Sequence, residues 1–80
     1  MCTRHAVADR IMELCNERSI TPNALSYRAG VPQSTIKSIL NGESLNPGIV
    51  TIKKLCDGLD VTLPEFFNTD RFRGLEQEIL

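Results

Sequence analysis

Tryptophan is absent from this chain of 80 residues, tyrosine occurs once and phenylalanine three times, so any core must be largely aliphatic. Histidine also occurs once, and His5 stands apart from any partner at metal-ligand spacing; it reads as a solvated side chain. Cys2, Cys15 and Cys56 are odd in number and show no CxxC spacing. Cys15 and Cys56 fall on the apolar faces of expected helices, where a free cysteine behaves as a small hydrophobe, so burial is expected for both rather than a disulfide or a metal. No stretch approaches the length of a membrane span. The opening decapeptide MCTRHAVADR lacks the apolar run of a signal peptide, which makes the cytoplasm the expected location. With no Ser-His-Asp constellation, no metal-ligand cluster and no phosphate-cradling loop, neither an enzyme nor a cofactor is expected, and no small-molecule ligand is evident.

An excess of positive charge is missing as well. Nine basic residues against ten acidic ones give a net charge of −1 and a pI near 5.7, whereas nucleic-acid-binding domains are often strongly basic. This balance argues against strong non-specific adhesion to phosphates. It leaves specific DNA binding open, because the charge that matters is local to the docking face. What remains is an ordinary globular composition, 41% hydrophobic and 24% charged, in a length suited to one domain near the lower limit for a self-sufficient core.

The most organised stretch is residues 21–42, TPNALSYRAGVPQSTIKSILNG. Thr21 suits an N-cap and Pro22 the first helical position, where its missing N–H costs nothing. Ile20 and Leu25 flank that cap as a hydrophobic staple. Gly30 can take the left-handed conformation that ends a helix, so the first helix should stop at Ala29. A second helix is expected from about Gln33 to Leu40, ending at Asn41-Gly42. Leu25 and Ala29 share a face of the first helix, Ile36, Ile39 and Leu40 line one side of the second, and Val31 plugs the turn. Small side chains at Ser26 and Ala29 are expected to let the second helix approach closely. Gln33, Ser34, Lys37, Ser38 and Asn41 are left facing outward. A short helix that is apolar behind and hydrogen-bonding in front suits the major groove of DNA.

This run, with Asn46-Pro47, Thr51-Ile-Lys-Lys-Leu55 and Val61-Thr-Leu-Pro-Glu-Phe-Phe67 downstream, resembles the phage-repressor/Cro (Xre-type) helix-turn-helix family over roughly residues 6 to 67. The resemblance implies an all-α fold, a compact lambda-repressor-like bundle of five short helices. Residues 1–68 are read as the DNA-binding domain and 69–80 as a short C-terminal tail. It also implies double-stranded DNA as the partner, bound by a homodimer on a palindromic operator.

Base contacts are expected from Gln33, Ser34, Lys37 and Ser38. Gln can bond adenine through N6 and N7 at once, Lys suits guanine or phosphate, and the serines adapt to several base edges. Backbone contacts are assigned to Thr21, Asn23, Arg28, Thr35, Asn41, Ser44 and Asn46. Arg28 reads equally well as solvated. Where relatives often carry Gln, this chain has Pro22, although the N–H groups of Asn23 and Ala24 would still point outward at a positive helix end. The loop GESLNPG departs most from the family pattern, with Glu43, Ser44, Leu45 and Asn46 where relatives usually place Lys or Arg. A shallow salt dependence follows.

The flanking segments read as scaffold. Residues 6–18 form a helix with Val7, Ile11, Leu14 and Cys15 on one face, and Arg10 and Glu13 spaced to pair on its surface. Tyr27 is expected to edge the core, with an interface role as the alternative. Residues 49–59 form a helix presenting Ile49, Ile52, Leu55, Cys56 and Leu59 inward, closed by Asp60 in a left-handed turn. Thr62 to Glu65 is a capping box, with Val61 and Phe66 as staple and Phe66 and Phe67 closing the core. In the tail, Phe72, Leu75, Ile79 and Leu80 recur at helical spacing. They read either as an amphipathic dimer contact or as a frayed end. The leading function is therefore a DNA-binding transcriptional regulator, a repressor. The alternative is an antitoxin-like or adaptor module whose main partner is protein.

Overall fold

Capping chemistry sets where the helices begin and end. The computed structural model describes residues 2–79, so Leu80, expected on the apolar face of the tail, lies outside the described residues. Six helices run in order: α1 (Thr3–Glu17), α2 (Pro22–Ala29), α3 (Gln33–Leu40), α4 (Ile49–Leu59), α5 (Leu63–Phe67) and α6 (Asp70–Arg73). There is no strand among the described residues, and no helix there is long and apolar enough to cross a membrane.

At the start of α2 the Thr21 Oγ1 accepts the Ala24 amide at 3.1 Å. At its end Gly30 takes φ 66° and ψ 30°, a conformation without penalty only for glycine. Asp60 ends α4 in the same left-handed region. The Thr62–Glu65 capping box forms in both directions, at 3.0 and 3.2 Å.

The core joins Val7, Ile11, Leu14 and Cys15 of α1, Leu25 of α2, Ile36 and Ile39 of α3, four residues of α4, and Phe66. Val31 between α2 and α3 is buried with them. Cys15 and Cys56 are fully buried, and burial pushes both thiols up from the ordinary value.

Ala29 makes a close approach to α4: a Cβ added at Gly58 would lie 3.0 Å from the Ala29 Cβ and 3.0 Å from Leu25 Cδ1. Three expectations need correction. Ile49 is 59% exposed, because the first turn of α4 projects beyond the core that begins at Ile52. Tyr27 is 82% exposed on the outer side of α2. A sixth helix follows α5, and its Phe72 lies 5.9 Å from the Phe66 ring and 4.9 Å from that of Phe67. Leu75 and Ile79 do not extend that helix; the backbone from 75 to 79 is irregular.

Arg10 does more than pair on the surface. Its side chain is only 12% exposed, and it donates to the carbonyls of Phe66 at 2.8 Å and Glu65 at 2.9 Å as well as to Glu13. The guanidinium thereby caps the C-terminal end of α5 and ties it to α1. Glu13 also accepts from Arg71 at 3.3 Å. The Arg71 and Arg10 guanidinium groups hold the Glu13 carboxyl below the usual carboxylate range.

Candidate nucleic-acid interface

Eight residues at 1.5 Å rise make α3 about 12 Å long, and with side chains a helix is about as wide as the major groove. Ile36 and Ile39 pin its inner side into the core. Gln33, Ser34, Lys37 and Asn41 are exposed and fall within roughly 100° of one another on a helix of 3.6 residues per turn. Ser38 is half-buried at one edge of that face, and Thr35, also half-buried, lies about 100° beyond it on the side of Ile39. Pro32 precedes α3 and gives it no side-chain cap; the Thr35 amide donates to the Pro32 carbonyl at 3.0 Å, which leaves the Gln33 and Ser34 amides for another partner.

The N-terminal turn of α2 completes the surface. Pro22 and Asn23 meet Gln33, Ser34, Lys37 and Asn41 along a shallow groove floored by Ile36 and Leu40. Of the two α2 amides expected to face outward, that of Ala24 is already taken by Thr21 Oγ1. The Thr21 hydroxyl proton remains free to donate. Arg28 is exposed on the outer side of α2.

Local bonding occupies several other assigned residues. Asn41 Nδ2 donates to Glu43 at 2.9 Å, and its Oδ1 accepts the Glu43 amide at 3.2 Å. The Ser38 carbonyl takes the amides of Glu43 at 2.9 Å and Ser44 at 3.0 Å, turning the chain sharply away from α3. Ser44 is half-buried in that turn. Asn46 does not share the groove of α2 and α3; it lines a separate depression with Thr3, Arg4, Leu45 and Glu78.

Charge is unevenly spread. Between Arg18 and Gly42 there is no Asp or Glu, while Arg18, Arg28 and Lys37 lie in that stretch. Most acidic residues belong to α1, α4, α5 and the C-terminal segment, and several are paired there: Glu13 with Arg71, Asp57 with Lys53 and Asp70 with Arg73. Among the described residues neither Arg28 nor Lys37 has an ion-pair partner. The outward surface of α2 and α3 is thus locally positive on a chain of net −1. This asymmetry is readable directly from residue order, and the overall balance conceals it. The exposed ring of Tyr27 lies one turn beyond Asn23 and next to Arg28 in the chain, a position that fits the alternative reading of this residue rather than core packing. No group of three or more His, Cys, Asp or Glu capable of holding a metal occurs among the described residues.

Comparison with known proteins fits this geometry. The profile of the Cro/C1-type HTH DNA-binding domain matches residues 10–70. A crystal structure of prophage Lp1 protein 11 is similar with a TM-score of 0.82 and 32% identity, covering 94% of this chain and 100% of that one. An HTH_3 family transcriptional regulator from Vibrio cholerae is similar with a TM-score of 0.77 and 28% identity over 85% of this chain. The match spans only 38% of the Vibrio cholerae protein. No curated protein matches the sequence.

Proposed function

The chain belongs to the Cro/C1-type helix-turn-helix DNA-binding domain family, and on that premise we propose that it is a sequence-specific transcriptional repressor that reads the major groove of double-stranded DNA with α3. The observation that carries this reading is the outward face of α3. It combines Gln33, Ser34 and Lys37, all exposed, with an uncapped helix start and a stretch of chain without carboxylates from Arg18 to Gly42, Glu43 following at the Asn41 end. Gln33 would pair with adenine, Lys37 with guanine or phosphate, and Ser34 with either kind of edge. Thr21, Asn23 and Arg28 would hold the flanking phosphates and fix register without reading sequence. A homodimer would place two copies of α3 about one turn of DNA apart on a palindromic operator. Repression would follow from occupying promoter DNA, with the protein acting in the cytoplasm.

Selection from a random duplex pool tests this reading, with wild type beside a Gln33→Ala/Ser34→Ala/Lys37→Ala variant. Enrichment of a palindrome by wild type alone supports it. Equal enrichment by both proteins, or none by either, contradicts it.

One observation favours a second reading, a protein-interaction module on the same fold. Leu45, Ile49 and Val50 are 72%, 59% and 66% exposed, beside a loop that carries Glu43 and no cation. Adjacent exposed apolar side chains of this kind mark interaction surfaces. The antitoxin-like or adaptor role gains support if the pool yields no duplex. The two roles are compatible in one protein.

A further inference from the structure

The C-terminal segment after α6 returns to the opposite end of the molecule. Thr3 Oγ1, in the first turn of α1, donates to Glu78 Oε2 at 2.7 Å. The neighbouring Arg4 donates from Nη1 to the carbonyl of Gly42 at 3.2 Å, at the exit from α3. Thr3, Arg4, Leu45, Asn46, Pro47 and Glu78 line one depression. A tail carboxylate is therefore held beside the α3–α4 loop, whose Ser44 and Asn46 the residue pattern assigns to DNA phosphates. Little apolar contact secures this segment: Leu75 is half-buried and Ile79 is 87% exposed.

From this juxtaposition we infer that residues 74–79 form an acidic strap that opposes DNA binding, with Glu78 held by Thr3 in the space a backbone phosphate would approach. The inference rests on the DNA-binding reading and adds a regulatory element to it. A carboxylate at that place repels phosphate directly, and the repulsion acts only within about a Debye length, roughly 8–10 Å at physiological salt. Binding then requires the strap to swing aside or lose its charge. The Thr3–Glu78 hydrogen bond is one exposed tether of this segment.

The test uses the full chain and the duplex it selects, with affinities measured by fluorescence anisotropy at low and moderate salt. Glu78→Gln removes the charge. Thr3→Val removes the tether and keeps the charge. Asp60→Asn makes the same change in net charge at the other end of α4, about 16 Å along that helix from its start, and Asn accepts the left-handed backbone there. Glu78→Gln should bind about threefold to tenfold tighter at low salt, with the gain shrinking as salt screens it. Thr3→Val should recover part of that gain, and Asp60→Asn should change affinity less than about twofold. If wild type binds its duplex and Glu78→Gln binds equally well, the strap is refuted while the DNA reading stands. Equal gains from Glu78→Gln and Asp60→Asn would refute it too, since net charge alone would then be responsible. If no variant binds any duplex, both the strap and the DNA reading fall.

Discussion

Replacing Gly58 by alanine should destabilise the protein, although the same change in most helices does the opposite. Alanine is favoured over glycine in a helix interior by about 1 kcal/mol, and Gly58 lies within α4. The added methyl group, however, would meet the Ala29 Cβ at 3.0 Å, Leu25 Cδ1 at 3.0 Å and the Ala29 amide nitrogen at 3.1 Å. Two of these three atoms are fixed to the α2 backbone, and Leu25 is fully buried, so relief requires α2 to move off α4. Overpacking of this kind costs about 1–3 kcal/mol, and contacts with fixed backbone atoms place this case in the upper half. The net loss is then about 1–2 kcal/mol once the propensity gain of about 1 kcal/mol is subtracted. Urea denaturation followed by circular dichroism measures it. With a slope of about 1 kcal/mol per molar for a chain this small, the midpoint should fall by roughly 1–2 M. In a double-mutant cycle with Ala29→Gly the two losses should be less than additive, because removing the Ala29 methyl opens part of the space. A midpoint that rises for Gly58→Ala would refute the close packing of α2 on α4.

Three further perturbations follow from the same geometry. Ser19 is held at φ 54° after α1, where L-residues other than Gly and Asn or Asp are disfavoured, so Ser19→Gly should stabilise by about 0.5–1 kcal/mol; a thermal midpoint raised by about 2–8 °C would show it. Arg10→Ala removes the bonds to the Phe66 and Glu65 carbonyls and to Glu13 and should cost about 2–3 kcal/mol, read as a lower urea midpoint together with faster amide exchange in α5; a loss below the usual range for one charged hydrogen bond would mean that α5 does not depend on this tie. The Glu13 carboxyl is depressed in the folded state by Arg71 and Arg10, so the unfolded state binds the extra proton in the acid range and stability rises with pH there. That contribution is fully present above the ordinary carboxylate value and is lost as pH falls through the lowered one. Glu13→Gln should therefore flatten the acid limb of a pH–stability profile, and an unchanged limb would contradict the assignment.

Local signals in the residue order located much of this fold because caps and turns are local chemistry. Thr21-Pro22 and Gly30 bracket α2, Asn41-Gly42 ends α3, and Thr62 with Glu65 starts α5; each rests on hydrogen bonds spanning a few residues. Relations between distant segments were not legible. The Arg10 guanidinium reaches carbonyls 55 and 56 residues away, and helical periodicity reports a face without naming its neighbour. Gly58 carries no sign of what it packs against until α2 is laid across α4. Ile49 matches the inward periodicity of α4, but periodicity does not say where the core stops, and the first turn of α4 overshoots it. Tyr27 was misplaced for a similar reason, since an aromatic residue beside a buried Leu25 and Ser26 can face either way. On the candidate interface, the exposed positions of α3 followed from its period. The engagement of Asn41 by Glu43, and the separation of Asn46 from the α3 groove, depend on how the loop turns after Ser38.

The most direct test of the central claim is chemical protection of the major groove. Dimethyl sulfate methylates guanine at N7, an atom that lies in that groove. It would be applied to the duplex selected by the protein, with and without protein bound. Insertion of α3 predicts protected guanines in two clusters about 10 base pairs apart, with protection lost at individual positions in Lys37→Ala. Tight binding that leaves every guanine N7 reactive, in a duplex whose half-sites contain guanine, would contradict major-groove reading by α3.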